Sequence, residues 1–321
     1  MTITWEQILA FLCEDQTMAI TSLLFLAFFA AVALINYALP RVLRPYFLLL
    51  ASYGFFCYDP VNRPLVWVMA AATLITWLCG LIIGKVRCKP VRILALLASV
   101  GFGIGILVYY KYWNLLADSL GGSLLSRREN LLAPLGLSYF TFAAMSYTID
   151  VYRREVKTEH NIIDFGAYVV MFPQLIAGPI VKYRDVSAQL HVYKHRYSLQ
   201  QIEEGMTLFT FGLAKKVLLA DAVGALWTDI IGIADSPSTT FVGLANASTP
   251  LVWLGIIAYS LQLYFDFSGY SMMGIGMGKM LGFDFPANFN YPYISASITE
   301  FWRRWHMTLS GWFREYVYIP L

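Results

Sequence analysis

In this chain, ionisable and amide side chains set among long apolar runs are the residues best able to do chemistry, and they fall into three clusters. In 299–310 the order Thr-Glu-Phe-Trp-Arg-Arg-Trp-His-Met-Thr-Leu-Ser puts His306 beside Trp305 and behind Arg303 and Arg304. An imidazole exchanges protons near neutral pH, so His306 is a candidate general base or substrate-orienting group. The two guanidinium groups would suit a phosphate-bearing donor. The competing reading is an amphipathic interfacial helix anchored by Trp and Arg, with His306 incidental.

The second cluster, 172–180, carries Pro173, Gln174, Gly178 and Pro179. Prolines free backbone carbonyls, and the Gln174 amide offers a neutral donor and acceptor; a helix kink satisfied by its neighbours is the alternative. The third, 262–270, centres on Asp266 and runs into Gly274, Gly276 and Gly278. An ion pair or an interfacial position accounts for Asp266, and close helix packing for the glycines. Lys215 and Lys216 interrupt an apolar run; adjacent helical residues point about 100° apart, so at least one should line a polar cavity or pair with a carboxylate such as Asp266. His160, His191 and His195 read as solvated polar residues, and no metal site is expected. The four cysteines, Cys13, Cys57, Cys79 and Cys88, have no metal or redox spacing; Cys57 and Cys79 read as packing residues.

The elements that must position these groups are membrane spans. Of 321 residues, 58% are hydrophobic, 16% aromatic and only 13% charged, against about 25% charged in a soluble domain. The mean hydropathy is +0.59. This excludes a disordered chain, a nucleic-acid binder with a basic face and an ordinary cytosolic enzyme. A net charge of +3 is too small to imply an acidic partner. The expectation is an all-α polytopic membrane protein, one transmembrane domain over 1–321. Spans are predicted at 18–39, 45–58 (short), 64–84, 91–113, 131–152, 206–223, 251–270 and 272–285 (short and glycine-rich). The proline-broken stretch 165–181 reads as re-entrant, and 187–204 as a cytoplasmic loop or surface helix. There is no internal repeat and no cleavable signal peptide is expected.

Lys and Arg bias orients the bundle. With the N-terminus outside, inside loops hold thirteen positive residues, including Arg41, Arg44, Lys85, Arg87, Arg154 and Lys182, against four outside, Arg63, Lys111, Arg127 and Arg128. The stretch 224–250 has neither Lys nor Arg and suits an exterior loop, and the acidic N-terminal segment with Glu6, Glu14 and Asp15 does not oppose this orientation.

Several ordered motifs resemble the alginate O-acetylation branch of the membrane-bound O-acyltransferase family. They are 135–142 (LGLSYFTF) through 146–153 (SYTIDVYR), 172–174 (FPQ) with 177–180 (AGPI), 264–270 (YFDFSGY), 288–293 (NFNYPY), 301–306 (FWRRWH) and 309–320 (LSGWFREYVYIP). The similarity runs from about Lys111 to the end, and the first hundred residues match only as generic spans.

The resemblance implies a ring of tilted transmembrane helices with re-entrant segments around a central tunnel. His306 takes the place of the family's first functional histidine, and the reaction is acyl transfer to a hydroxyl. Gln174, Pro173, Gly178, Pro179, Asp266, Asn288, Arg303, Arg304 and Trp305 would line the tunnel, with His306 at its inner end near mid-membrane, within reach of 172–180. It further implies no bound cofactor, acetyl-CoA as acyl donor, a polysaccharide or cell-wall acceptor, and an extracytoplasmic SGNH or esterase-like acetyltransferase partner in the bacterial plasma membrane. Family members continue beyond the position of Leu321 with a second functional histidine in a later apolar helix, so the expectation is a chain without those C-terminal helices, either a piece of a longer protein or a shortened variant inactive on its own. D-alanyl transfer to teichoic acid is the alternative within the family; a proton-coupled transporter or a non-catalytic scaffold are the alternatives outside it.

Overall fold

The structure is a computed structural model, describing residues 18–120, 125–128, 131–175, 178–191, 198–231 and 247–320. Among these residues the ordered elements are all helical: α1 (Leu23–Ala38), α2 (Arg44–Tyr58), α3 (Val66–Lys85), α4 (Lys89–Leu107), α5 (Trp113–Ser119), α6 (Leu137–Arg153), α7 (Ile162–Val169), α8 (Phe172–Leu175), α9 (Tyr183–His191), α10 (Leu199–Ala214), α11 (Asp221–Ile231), α12 (Thr249–Met280), α13 (Ile298–Arg304) and α14 (Met307–Phe313). Proline sits in the first turn of α2, α4 and α12, where its fixed φ suits the helix and its missing N–H has no partner to lose. The Ser22 hydroxyl caps α1 by accepting the Phe25 N–H at 3.1 Å.

Three helical stretches are long and apolar enough to cross a membrane, Arg63–Lys85, Lys89–Ser119 and Thr249–Met280, and Leu23–Ala38 is a shorter apolar helix. Large apolar side chains face outward on them, Trp67 at 77% and Leu94 at 68% exposure, as a lipid-facing surface requires. The interior holds two aromatic clusters. Phe25, Phe28, Phe29 and Phe55 pack around Phe172, and Tyr147, Phe165, Tyr168 and Tyr183 form the other.

Several span boundaries differ from expectation. The two spans read at 251–270 and 272–285 are one 32-residue helix, α12. Its glycines keep their backbone hydrogen bonds, so they narrow the helix without ending it. Two of them meet glycines of α10. A Cβ on Gly269 would lie 2.8 Å from the Gly212 carbonyl oxygen, and one on Gly276 would lie 2.6 Å from that of Gly205. Both pairs are spaced by seven residues, so the two backbones touch twice along one seam. The packing reading of these glycines holds.

The span expected at 131–152 begins at Leu137, because Pro134 and the left-handed Gly136 (φ 69°) shape a turn before it. The 206–223 span starts at Leu199, inside the stretch read as loop or surface helix, and continues through a π-helical turn (Lys215–Ala220) into α11. The helix at 91–113 runs from Lys89 to Ser119 through a second π turn, Val108–Tyr112.

Residues 165–181 are broken as their prolines require, into α7, a turn and α8. They are buried: Phe165, Tyr168, Phe172 and Leu175 have no exposed surface. Side chains take over the freed backbone groups. The Phe172 N–H donates to Ser52 Oγ at 3.2 Å, the Tyr168 hydroxyl donates to the Val181 carbonyl at 2.9 Å, and Gln174 Nε2 donates to the Tyr168 carbonyl. Ile176 and Ala177 of this motif, Cys13, Glu6, Glu14, Asp15, His195, Lys194, Arg196 and most of the loop read at 224–250 lie outside the described residues.

Candidate active site

The segment 299–310 is not one amphipathic helix. It is α13 and α14, seven residues each, separated at Trp305 and His306. Ser297 caps α13 by accepting the Glu300 N–H at 3.1 Å, while the Glu300 carboxylate reaches back to the Ala296 N–H at 3.0 Å. His306 breaks the run by adopting left-handed backbone angles (φ 43°, ψ 52°). For a residue with a Cβ that conformation costs on the order of 1–3 kcal/mol and persists only where the surroundings enforce it.

The enforcement comes from the chain before α13. The Met307 N–H donates to the Asn288 carbonyl at 2.9 Å, and the Asn290 N–H to the Arg304 carbonyl at 2.9 Å. These two backbone bonds lay 288–290 alongside 304–307 and bring the Asn288 side chain to the imidazole. His306 Nδ1 lies 2.9 Å from Asn288 Oδ1. The same oxygen receives the Thr308 hydroxyl at 2.8 Å and the Thr308 N–H at 3.3 Å. A backbone N–H only donates, so it assigns oxygen to this end of the amide. Nδ1 must then carry a proton, and in the neutral imidazole the lone pair falls to Nε2, which has no partner among the described residues.

The relay extends one link further. Thr308 Oγ1 accepts the Ile180 N–H at 3.1 Å, which directs the hydroxyl proton toward Asn288. Ile180 thus ties the broken segment to His306, and the reach expected between them is made through Thr308. The other end of the Asn288 amide, Nδ2, is buried without a partner among the described residues.

His306 lines a cavity of about 590 Å³ with Leu175, Ile180, Ser138, Tyr139 and Lys111. Lys111 Nζ lies 3.4 Å from Ser138 Oγ, which puts one ammonium group in the same cavity. Aromatic rings fix the imidazole plane. Phe267 meets it edge-on with centroids 4.8 Å apart, and Phe289 lies nearly parallel at 6.5 Å. Trp305 stacks on Phe301 at 5.6 Å and belongs to the same wall.

Of the residues singled out from sequence, Asn288 and His306 touch. Gln174 is buried and turned toward Tyr168, and Pro173 and Gly178 seat against α12, where a Cβ on Gly274 would lie 3.0 Å from the Pro173 carbonyl oxygen. Pro179 is buried beside Ile180. Arg304 is held by Glu300 at 2.9 Å and by the Asn290 carbonyl at 3.2 Å, so it frames the 288–306 seam. Arg303 is exposed. Asp266 pairs with Lys216 at 2.9 Å, and Lys216 also bridges Asp221; Lys215 sits over the Tyr264 ring at 5.9 Å. The expected pairing of one lysine with Asp266 holds. Asp266 lines a separate cavity with Asp59 and Phe267, and Phe267 is its link to His306.

Sequence reasoning missed Thr308 as a relay, and Lys111 and Ser138 as cavity residues. The signal available for Lys111 was its place in an aromatic Tyr-Tyr-Lys-Tyr-Trp run, which forms the π turn; such turns recur at functional sites. Beyond this site, burial raises the Glu315 carboxyl, but hydrogen bonds and charge from Lys182 and Arg184 outweigh it and hold the group below its ordinary range.

A sequence model described as the membrane-bound O-acyltransferase family matches residues 135–321. The chain is 43% identical to a probable alginate O-acetylase of Pseudomonas aeruginosa over 287 residues, covering 87% of this chain and 52% of that protein. It is 31% identical to a peptidoglycan O-acetyltransferase of Helicobacter pylori over 301 residues, 85% of this chain and 55% of that protein. It is 34% identical to a teichoic acid D-alanyltransferase of Bacillus subtilis over 195 residues, 60% of this chain and 46% of that protein. The chain therefore spans about half the length of the curated relatives it matches.

Proposed function

The chain belongs to the membrane-bound O-acyltransferase family, and on that premise we propose that it acts in O-acetyl transfer with His306 as its base. In this reading acetyl passes from a cytoplasmic thioester, acetyl-CoA, to a hydroxyl on the other side of a bacterial plasma membrane. The observation that carries it is the imidazole itself: Nδ1 is anchored to Asn288 Oδ1, which leaves Nε2 to act as base on a side chain that lines a cavity.

In the reaction, Nε2 takes the proton of the acceptor hydroxyl as its oxygen attacks the thioester carbonyl. The C–O bond forms, and the carbonyl electron pair moves to oxygen as an oxyanion, for which the Lys111 ammonium is the available cation in the cavity. Collapse expels the thiolate, which recovers the proton from the imidazolium. Asn288 stabilises the imidazolium by accepting from Nδ1, and Gln174, Pro173, Gly178 and Pro179 act as supports of the cavity wall.

The cavity lies at the ends of α4 and α6 that Lys and Arg bias assigns to the exterior with an N-out chain, which suits the approach of an extracytoplasmic acceptor. That acceptor is a polysaccharide or cell-wall polymer, or an esterase-like partner that carries acetyl onward. Acetyl transfer is favoured over D-alanyl transfer because similarity to the relatives named as O-acetylating covers more of this chain. The test is transfer of labelled acetyl from acetyl-CoA by the purified full-length protein. His306→Ala should lower it by at least about 10²-fold with insertion and thermal unfolding unchanged. Activity near that of the parent removes His306 from catalysis.

A further inference from the structure

The opposite ends of α4 and α6 enclose a second cavity, of about 1080 Å³, roughly 20 Å along α4 from the first. Its walls are the end of α3 with Val86 and Arg87 after it, Arg92 of α4 and the link between α6 and α7, and its lining includes Lys85, Arg87, Arg92, Arg154, Lys157 and His160. The one carboxylate there, Glu159, is turned away: Oε2 accepts the Tyr183 hydroxyl at 2.9 Å and Oε1 accepts the Asn161 N–H at 2.8 Å. Elsewhere the cations near carboxylates are spent on them, as with Lys182, Arg184, Lys216, Lys279 and Arg304. Among the described residues, Lys85, Arg87, Arg154 and Lys157 make no ion pair at all.

Two features separate this cavity from a merely positive membrane face. Its walls are fixed in place. Trp77 Nε1 donates to the Glu159 carbonyl at 3.0 Å, the Glu159 N–H donates to the Tyr147 hydroxyl at 3.0 Å, and Arg92 is pinned to the Tyr152 carbonyl at 3.0 Å with its Nε buried and unpartnered. In addition, Arg154 occupies the left-handed position that ends α6 (φ 65°), where glycine is the unstrained choice. The chain accepts that strain and keeps a guanidinium on the wall.

We propose that this cavity binds a phosphate-bearing anion. Five permanent cations against one committed carboxylate call for more than one negative charge, and the Arg87 and Arg154 guanidinium groups, which make no ion pair among the described residues, suit the forked geometry of phosphate oxygens. The volume admits a pyrophosphate or the headgroup of an acidic phospholipid, and Ile83, Val151 and Val156 give an apolar flank. The site is distinct from the His306 cavity and does not rest on its chemistry.

The test uses the full-length protein in two arms. Equilibrium dialysis in detergent measures inorganic pyrophosphate; mass spectrometry of protein released from phosphatidylcholine nanodiscs doped with phosphatidylglycerol measures retained acidic lipid. The Arg87→Gln/Arg154→Gln variant should bind at least about tenfold more weakly, whereas Arg41→Gln/Lys89→Gln, which removes equal charge outside the cavity, should match the parent. Loss confined to dialysis identifies a soluble phosphate, and loss confined to nanodiscs identifies a lipid headgroup. Arg154→Gly guards against misfolding: it relieves the backbone strain, so it should unfold no earlier than the parent and still bind severalfold more weakly. Equal loss in the two double variants, or no anion retained by the parent in either arm, overturns the proposal.

Discussion

The α10–α12 seam and the 288–308 seam both hold backbone segments closely together, and they do it by opposite means. Between α10 and α12 contact comes from absence: glycines at 205, 212, 269 and 276 remove the side chains that would keep the helices apart. Between 288–290 and 304–308 it comes from presence: backbone bonds, an amide, a hydroxyl and an imidazole interlock. The first seam is sensitive to volume and indifferent to polarity; the second tolerates volume but not the loss of a donor or acceptor. In a membrane, where apolar side chains gain little by leaving lipid for one another, these are the two available ways to fix helices.

The largest effect should come from adding volume to the first seam. A Cβ on Gly276 would sit 2.6 Å from the Gly205 oxygen and 2.7 Å from the Phe209 nitrogen, backbone atoms that cannot swing aside. Gly276→Ala should cost about 1–3 kcal/mol or more and lower the unfolding temperature in detergent. Gly101→Ala, where nothing lies within 4 Å, should be neutral or stabilising by up to about 1 kcal/mol. If the two alanines behave alike, the glycine contact does not hold the seam.

Removing polarity from the second seam should leave folding largely intact and lower turnover. Asn288→Ala takes away the acceptor that fixes the Nδ1 tautomer, and kcat should fall about 10²-fold with KM little changed. Asn288→Asp keeps an oxygen opposite Nδ1, loses an Nδ2 that has no partner among the described residues, and adds a negative charge that favours the imidazolium, so it should retain much more activity than the alanine. Equal losses in the two variants would show that the amide acts through packing.

The two seams were unequally legible in the sequence. The glycines of α12 signalled close packing correctly but suggested a break that is absent, because glycine shortens side chains and keeps its N–H. The prolines of 172–180 signalled a break that is present, because proline removes one. His306 and Asn288 stood out by resemblance, and Asp266 with Lys216 by the cost of charge in an apolar run. Lys111 and Ser138 did not, and Ile180 and Thr308 lay inside the 172–180 and 299–310 clusters without any sign that they meet, since these elements are far apart in the chain and no local spacing joins them.

Thr308 gives the smallest and most discriminating effect. Its hydroxyl accepts from the Ile180 N–H and donates to Asn288 Oδ1, so it is two bonds from the imidazole and touches no reacting atom. Valine has nearly the same shape and neither bond. It would leave the Ile180 N–H buried without a partner, a cost of about 1–3 kcal/mol, and allow Asn288 to drift from Nδ1. Thr308→Val should therefore lower kcat by roughly tenfold while Asn288→Ala remains the more severe change. Serine keeps the hydroxyl and loses only a methyl group, so Thr308→Ser should turn over at close to the parent rate. The pair separates relay from packing: if serine is as impaired as valine, the methyl group carries the role, and the bond from Ile180 through Thr308 to Asn288 is incidental to how His306 is held.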